Sequence, residues 1–133
     1  MRSMVKIMSL MLDTYAIIEL FRGSDKGTKV KKLLGADDDI SMSVLSLYET
    51  GTVLERDIGI KGTKKYLRSI QTYYDIIDID KEIALSAVKL RRDFKLPSID
   101  CLIYASSRSI NAKLITGCNH FKEISKQKDI III

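Results

Sequence analysis

Residues 5–21, VKIMSLMLDTYAIIELF, decide the fold of this chain. They predict a short buried strand, Val5–Leu12, that stops at Asp13 and is followed by an amphipathic helix with Ile17 and Phe21 on its apolar face. A buried strand followed by an acid and then a helix is typical of an α/β protein, in which strand ends deliver polar side chains into a crevice. Because an unpaired carboxylate beside a core strand is costly, we expect Asp13 to bind something.

The rest of the chain alternates short strands with helices. Apolar runs predict four further strands, at residues 40–44, 74–79, 113–115 and 130–133. Helical patterns lie at residues 28–34, 45–57 and 61–72, after the predicted cap Asp80, and after Pro97, with Ser98 as the predicted cap. This alternation predicts an α/β fold of three layers (α/β/α), in which helices cover both faces of a mostly parallel five-stranded sheet.

Composition and charge limit the class of protein. At 133 residues the chain is long enough for a real core, and we expect one domain over residues 1–133. Hydrophobic residues make up 46%, which favours a globular fold, and the net charge of +5 favours anionic partners, nucleic acid first. The two cysteines do not form a secreted disulfide framework, and we recognise no signal peptide and no membrane span, so we expect a cytoplasmic protein.

Three acids hold equivalent places in this scheme. Asp13 ends the first strand, Glu49 lies just over a turn into the helix after the second, and Asp100 lies in the first turn of the helix that precedes the fourth. Loops after parallel strands share one edge of the sheet, so Asp13 and Glu49 can converge there, and Asp100 joins them if its helix starts at that edge. Converging carboxylates repel one another, and a hard divalent cation such as Mg²⁺ or Mn²⁺ relieves that repulsion.

Each acid also has a plain structural explanation. Asp13 can cap its helix, and Glu49 completes the capping-box pattern SLYE at residues 46–49. Asp100 can complement the positive end of its helix, a contribution of roughly 0.3–1 kcal/mol. The argument for a metal site therefore rests on the three acids together.

Other groups of residues point less clearly to a function. His120 is the single histidine, which excludes acid–base catalysis by a pair of histidines. Cys118 and His120 lack further soft ligands at usable spacing, so we expect no zinc site. A basic run with interleaved aromatic residues either grips RNA or forms a solvated helix face. Its members are Lys61, Lys64, Lys65, Tyr66, Arg68 and Tyr73.

Four segments together resemble the PIN domain family, and more narrowly the VapC-type toxins of toxin–antitoxin pairs. They are LDTYAIIELF with Asp13, SVLSLYETGTVL with Glu49, LPSIDCLIYASSRSINAKLIT with Asp100, and NHF, and the match runs from Lys6 almost to the C-terminus. The resemblance implies a five-stranded parallel sheet between helices, with Mg²⁺ or Mn²⁺ bound at its C-terminal edge and RNA as the substrate of hydrolysis. Asp13, Glu49 and Asp100 match the three main acids of the family.

The sequence departs from the family pattern after the fourth strand. The family often has T-x-D-x-x-F there, which supplies a fourth acid, whereas residues 116–121 are TGCNHF. Thr116 and Phe121 match the pattern, but Cys118 stands in the place of the acid. The resemblance therefore supports one metal ion held by three acids and leaves a second ion open.

These features predict a metal-dependent endoribonuclease, the toxin of a VapBC-type toxin–antitoxin pair. Asp13, Glu49 and Asp100 would hold Mg²⁺ or Mn²⁺, directly or through its waters, while Thr14 and Thr116 would hydrogen-bond the acids or a phosphate. In the absence of a suitable histidine, attack on the phosphodiester by a metal-activated water is expected rather than attack by the ribose 2′-hydroxyl.

The expected partners are RNA, a cognate antitoxin and a second copy of the chain. The basic segment Gly59–Tyr74 is expected to contribute to a two-fold dimer. Its apolar positions are Tyr66, Leu67, Ile70 and Tyr73. Two alternatives stay open: a catalytically weak or inactive PIN-like RNA-binding or regulatory module, and an acid-based phosphatase, although Tyr15 stands where such phosphatases usually carry a second Asp.

Overall fold

Five strands form one sheet in the computed structural model, which describes residues 8–36 and 38–133. The strands are β1 (Ser9–Leu12), β2 (Asp39–Ser43), β3 (Asp75–Ile77), β4 (Lys113–Thr116) and β5 (Ile130–Ile132). The first strand was predicted to begin at Val5, but residues 5–7 lie outside the described residues, as does Asp37 of the acidic loop before β2.

Six helices connect the strands in the described part of the chain. They are α1 (Thr14–Arg22), α2 (Asp25–Leu33), α3 (Val44–Tyr73), α4 (Lys81–Phe94), α5 (Ser98–Ser109) and α6 (Asn119–Lys122). The two helices predicted between β2 and β3 form one run, interrupted at Gly59, whose φ of 82° and ψ of 171° are not helical. None of the helices described is long and apolar enough to cross a membrane.

The strand order is β3-β2-β1-β4-β5, and each of the four strand pairs is parallel. The predicted α/β fold with a mostly parallel five-stranded sheet is therefore confirmed, and the described sheet is parallel throughout. All strands end at the same edge, which we call the carboxyl edge. Since β1 is central, the residue that follows it lies between its two neighbouring strands, at the middle of this edge.

Hydrophobic clusters lie on both faces of the sheet, because successive side chains of a strand point to opposite sides. Met11 of β1 and Leu114 of β4 pack with α4 and α5, in a cluster that includes the fully buried Tyr104. Leu10 and Leu12 of β1 pack on the other face with α1, α2 and the second half of α3. The three-layer arrangement follows from this alternation.

One helix cap agrees with its prediction and one differs. Pro97, not Ser98, occupies the N-cap position of α5, and no side chain caps that helix. Ser98 is instead the first helical residue. Asp80 caps α4 as predicted, and its side chain accepts a hydrogen bond from the Ile83 amide at 2.8 Å. The short helix α6 was not predicted.

Candidate active site

Asp13 follows β1 at the centre of the carboxyl edge and is only 4% exposed. Its backbone N–H donates to the Ile115 carbonyl at 3.1 Å, which extends the pairing of β1 and β4 by one residue. Its side chain caps α1 by accepting from the Ala16 N–H at 2.8 Å. The capping explanation for Asp13 is therefore correct, and it leaves part of a buried carboxylate available to other partners.

Burial raises the pKa of Asp13 from 3.8 to about 7. Hydrogen bonds from the Thr116 hydroxyl and the Ala16 amide oppose this shift, whereas the negative charges of Asp100 and Glu49 add to it. Burial and two nearby negative charges both disfavour the ionised form of Asp13. A bound cation would stabilise that ionised form. The Thr116 side chain is itself fully buried and accepts from the Cys118 N–H at 3.0 Å.

Glu49 does not belong to a capping box. Ser43 is the N-cap of α3 and its hydroxyl accepts from the Leu45 N–H at 3.1 Å, so Ser46 lies inside the helix, fully buried. Glu49 instead accepts a hydrogen bond from the Thr14 hydroxyl, with 2.6 Å between Oγ1 and Oε1. Thr14, the first residue of α1, therefore holds this carboxylate at the carboxyl edge, close to the neighbouring residue Asp13.

Asp100 reaches the edge from the first turn of α5 and is bound to His120. Its Oδ2 lies 2.8 Å from His120 Nδ1, and the Cys118 Sγ lies 3.3 Å from the same nitrogen. Partial burial raises the pKa of Asp100, while the hydrogen bond and charge of His120 oppose that shift. Burial also raises the pKa of the Cys118 thiol.

His120 is a candidate site residue that the sequence interpretation did not include, since its ring contacts Asp100. The signal was its position two residues after the place where the family pattern carries a fourth acid. No neighbouring residue in the sequence indicates which side chain His120 contacts. Its contact with Asp100 forms only because the fold brings α5 next to the loop after β4. The expectation of no zinc site considered soft ligands near Cys118 and His120 in the sequence and did not include Asp100.

The three acids are neighbours but do not form a closed set of ligands. Glu49 and Asp100 both lie near enough to raise the pKa of Asp13 by charge. Within residues 8–36 and 38–133, however, the one group of three acid, histidine or cysteine side chains whose ligand atoms all lie within 4.8 Å of one another is Asp100, Cys118 and His120. A hard cation between the acids would draw them closer or reach some of them through its waters, as Mg²⁺ commonly does.

Tyr15 of α1 packs against the loop after β4, and Lys26 of α2 contacts the Tyr15 side chain. The Tyr15 ring lies so close to Gly117 that a Cβ at position 117 would be 2.4 Å from Tyr15 Cε1. Only glycine therefore fits at this position in the loop after β4. The Lys26 ammonium donates to the Tyr15 hydroxyl at 3.2 Å and lies 5.1 Å from the ring centroid. The Tyr15 ring therefore packs on the loop between Thr116 and Cys118, and the Lys26 ammonium contacts that ring.

Comparison with known families finds that the PIN domain model matches residues 10–127. A search of curated protein sequences finds no match to this chain.

Several solved structures share the fold. A toxin–antitoxin complex from Klebsiella pneumoniae has a TM-score of 0.75 at 24% identity, covering 92% of this chain and 95% of that one. VapBC2 from Rickettsia felis, bound to a promoter DNA fragment, has a TM-score of 0.74 at 20% identity, covering 95% and 98%. VapC20 from Mycobacterium tuberculosis, a toxin that cleaves the sarcin–ricin loop, has a TM-score of 0.68 at 18% identity, covering 86% and 94%. At such identities the likeness establishes the fold.

Proposed function

The chain belongs to the PIN domain family, and from that premise we propose that it is a divalent-metal-dependent endoribonuclease, the toxin of a toxin–antitoxin pair. The observation that carries the proposal is the buried carboxylate of Asp13, flanked by the charges of Glu49 and Asp100 at the carboxyl edge of a parallel sheet. The likeness to a toxin that cleaves the sarcin–ricin loop supports RNA as the substrate class.

The donor set fits a hard divalent cation. Asp13, Glu49 and Asp100 offer carboxylate oxygens, which Mg²⁺ and Mn²⁺ prefer. The elevated pKa of Asp13, about 7, indicates that the neighbouring protein groups do not compensate its negative charge. When bound, Mg²⁺ or Mn²⁺ would supply an acidified water and a positive charge for the phosphate.

The protein's own residues position these donors. The Ala16 amide and the Thr116 hydroxyl orient the Asp13 carboxylate, and the Thr14 hydroxyl orients Glu49. His120 donates from Nδ1 to Asp100, since an ionised carboxylate only accepts. Such partners fix the direction in which a carboxylate presents its free oxygen, and their loss typically costs about 10–100-fold in metal affinity or activity.

Lys26 and Tyr15 support binding of the nucleic acid. A base can stack on an aromatic ring, and an ammonium group can contact a phosphate oxygen. The Tyr15 ring packs against Gly117 in the loop after β4, which lies between Thr116 and Cys118, and Lys26 contacts that ring. They bind and orient the substrate in this proposal, while the acids act at the scissile phosphate.

Cleavage of RNA by the chelator-treated protein, with and without Mg²⁺ or Mn²⁺, tests the activity. Asp100→Asn should abolish metal-dependent cleavage and leave the circular dichroism spectrum unchanged. The matched control is Asp75→Asn, since Asp75 is an exposed residue at the start of β3, at the opposite edge of the sheet. Equal cleavage by the wild type and Asp100→Asn would contradict the proposed site, and equal cleavage in chelator would contradict metal dependence.

A toxin should arrest the growth of a host that expresses it without its antitoxin. The net charge of +5 favours an antitoxin with acidic groups around an apolar segment, the usual complementarity for a peptide bound in a groove. Induction of the wild type should stop growth, whereas induction of Asp100→Asn to the same protein level should not. Normal growth with active, soluble wild-type protein would contradict the toxin assignment.

We also propose a homodimer, although the segment predicted to form it contributes less apolar surface than its sequence indicates. Ile70 is buried, Tyr66 and Leu67 are half-buried against the core, and Tyr73 is 77% exposed. Ile60, next to the break in α3, is also exposed, at 63%. Light scattering at high concentration tests the assembly, and a monodisperse monomer would contradict it.

A further inference from the structure

Asp100, Cys118 and His120 form a compact cluster that the Mg²⁺-dependent chemistry does not need as a whole. One ligand atom from each lies within 4.8 Å of the other two. Their Nδ1–Oδ2 and Nδ1–Sγ distances are 2.8 and 3.3 Å. We propose that these three side chains bind a borderline transition-metal cation, Zn²⁺ above all, at a site that shares Asp100 with the hard-metal site.

The geometry is close to that of a tetrahedral zinc site. Zinc–ligand bonds of about 2.0–2.3 Å at tetrahedral angles place neighbouring ligand atoms roughly 3.3–3.6 Å apart. The Nδ1–Sγ distance of 3.3 Å lies at the lower end of this range, and the Nδ1–Oδ2 distance of 2.8 Å must open by about half an ångström or more, which side-chain rotation of the exposed His120 allows.

Solvent can complete the coordination. The side chain of His120 is 56% exposed and that of Asp100 is 20% exposed. Three protein ligands with access for a water match an open zinc site rather than a closed structural one.

The donor types select the metal. A thiolate and an imidazole are poor ligands for Mg²⁺ and good ones for Zn²⁺, and the affinity of such mixed sites rises from Mn²⁺ toward Cu²⁺ and Zn²⁺. Zinc also displaces the proton of the thiol on binding. Cys118 therefore gives this end of the carboxyl edge ligands that suit Zn²⁺, next to the carboxylates that suit Mg²⁺. A carboxylate at position 118 would instead have added a further ligand for Mg²⁺.

A consequence for activity follows, and it rests on the proposed nuclease function. The Asp100 carboxylate cannot bind both ions with full strength. When it binds Zn²⁺ together with Cys118 and His120, the Mg²⁺ site therefore loses Asp100 as a ligand. Zinc would then inhibit Mg²⁺-dependent cleavage. The binding itself does not depend on that function.

Cobalt titration tests the binding, because Co²⁺ substitutes for Zn²⁺, a Co²⁺–thiolate bond gives a charge-transfer absorption band, and the tetrahedral Co²⁺ ion itself gives d–d bands. Reduced, chelator-treated protein should bind one Co²⁺ with these bands, and one equivalent of Zn²⁺ should remove them. Cys118→Ser should lose the charge-transfer band, and His120→Ala should bind at least about tenfold more weakly, as for the loss of a metal contact. Cys101→Ala is the matched control, since Cys101 is 2% exposed in the core and should not affect the bands.

The outcomes separate this site from the nuclease proposal. Cobalt bands that require Cys118 but not Cys101 support the site even if no RNA is cleaved. Absence of the charge-transfer band in folded wild type, or persistence of that band in Cys118→Ser, would overturn the proposed site. In an active preparation at fixed Mg²⁺, Zn²⁺ should inhibit the wild type at concentrations at least about tenfold below those needed for Cys118→Ser. Equal inhibition of both proteins would overturn the sharing of Asp100.

Discussion

Asp13 combines two tasks that are usually assigned to different residues. It caps α1 through Ala16, and it places a charge at the one point of the carboxyl edge where β1 ends between its neighbours. A cap is ordinarily exposed and inexpensive, whereas this one is 4% exposed and close to two other acids. Ionised Asp13 is therefore repelled by two neighbouring carboxylates, and a cation bound at the proposed site would relieve that repulsion.

We predict a specific pH dependence of stability for the metal-free protein. The pKa of Asp13 is about 7 in the folded state against 3.8 ordinarily, so between these values the folded state binds the extra proton. The unfolding free energy should therefore fall as the pH rises from 4 to 7, on the order of 4 kcal/mol from this group, and then level off. Asp13→Asn should lose this dependence and be the more stable protein at pH 8 in chelator.

Urea denaturation from pH 4 to pH 8 measures the effect. Asp80→Asn is the matched control, because Asp80 makes the same 2.8 Å capping bond but is exposed. It should retain the pH slope of the wild type. A slope unchanged in Asp13→Asn would mean that Asp13 does not carry the pKa shift.

At Cys118 we predict that a carboxylate strengthens hard-metal binding. The thiol is half-buried at the edge of one hydrophobic cluster, and its pKa responds to the charges of Asp100 and Asp13, which places it beside the acids. A negative charge about 4 Å from a cation contributes several kcal/mol near a protein surface. Cys118→Asp should therefore raise Mg²⁺ affinity about tenfold or more and raise cleavage at limiting Mg²⁺.

Calorimetric Mg²⁺ titration of wild type and Cys118→Asp measures that change, with thermal denaturation in parallel. Equal Mg²⁺ affinities would show that position 118 does not face the hard-metal site. A lowered melting midpoint without tighter binding would show that the thiol acts mainly as a small core side chain.

At the level of helices and strands, most of the fold was predictable because the apolar pattern is strong. The ends of β2, β4 and β5 fall within about one residue of the predicted ends, as expected for short buried strands. The caps were less predictable because several residues near a helix start have capping side chains. Ser43, Ser46 and Ser98 all qualify by type, and only the backbone path decides that Ser43 caps α3.

The short α6 and the contacts of His120 escaped prediction for a related reason. Four residues carry no helical period, and the Asp100–His120 bond joins residues 20 apart through packing of α5 on β4. The approach of Asp13 and Glu49 to one another, in contrast, was predictable from the ends of β1 and β2, whereas that of Asp100 depended on the edge at which α5 begins. Their roles as ligands stay a prediction.

The break in α3 should depend on the identity of residue 59. Gly59 has a φ of +82° and a ψ of 171°, a conformation that other residues adopt at a cost of about 1–3 kcal/mol, and a Cβ there would meet nothing within 4 Å. Gly59→Ala should therefore lower stability by that amount through the backbone alone. Gly62→Ala, where the Cβ would lie 3.2 Å from Ile58 Cδ1, should be neutral to stabilising, because alanine is favoured over glycine inside a helix by about 1 kcal/mol.

Urea midpoints of the two alanine variants compare these positions directly. Both changes add the same methyl group to the same helix three residues apart, so a difference between them reports the backbone conformation. Equal midpoints would mean that the chain relaxes at residue 59 by continuing the helix.

Across the whole molecule, the net charge of +5 should appear as a salt-dependent affinity for RNA. Four basic side chains of the second half of α3 are exposed, which is consistent with either a phosphate-binding surface or a solvated helix face. They are Lys61, Lys64, Lys65 and Arg68. The two explanations differ in one measurable quantity, the slope of log affinity against log salt.

If Lys64 and Lys65 both contact phosphates, replacing them with Gln removes two released counterions, and the slope for single-stranded RNA should decrease in magnitude by about 1.4. Fluorescence anisotropy of a labelled RNA in chelator, where no cleavage occurs, gives the slope. The double change Lys31→Gln and Lys32→Gln, at two exposed lysines of α2, is the matched control, because it alters net charge equally. A smaller slope for the Lys64/Lys65 variant alone would identify a phosphate-binding surface on α3. Equal slopes for the two double variants would mean that the overall charge of the protein, and not this helix, attracts the RNA.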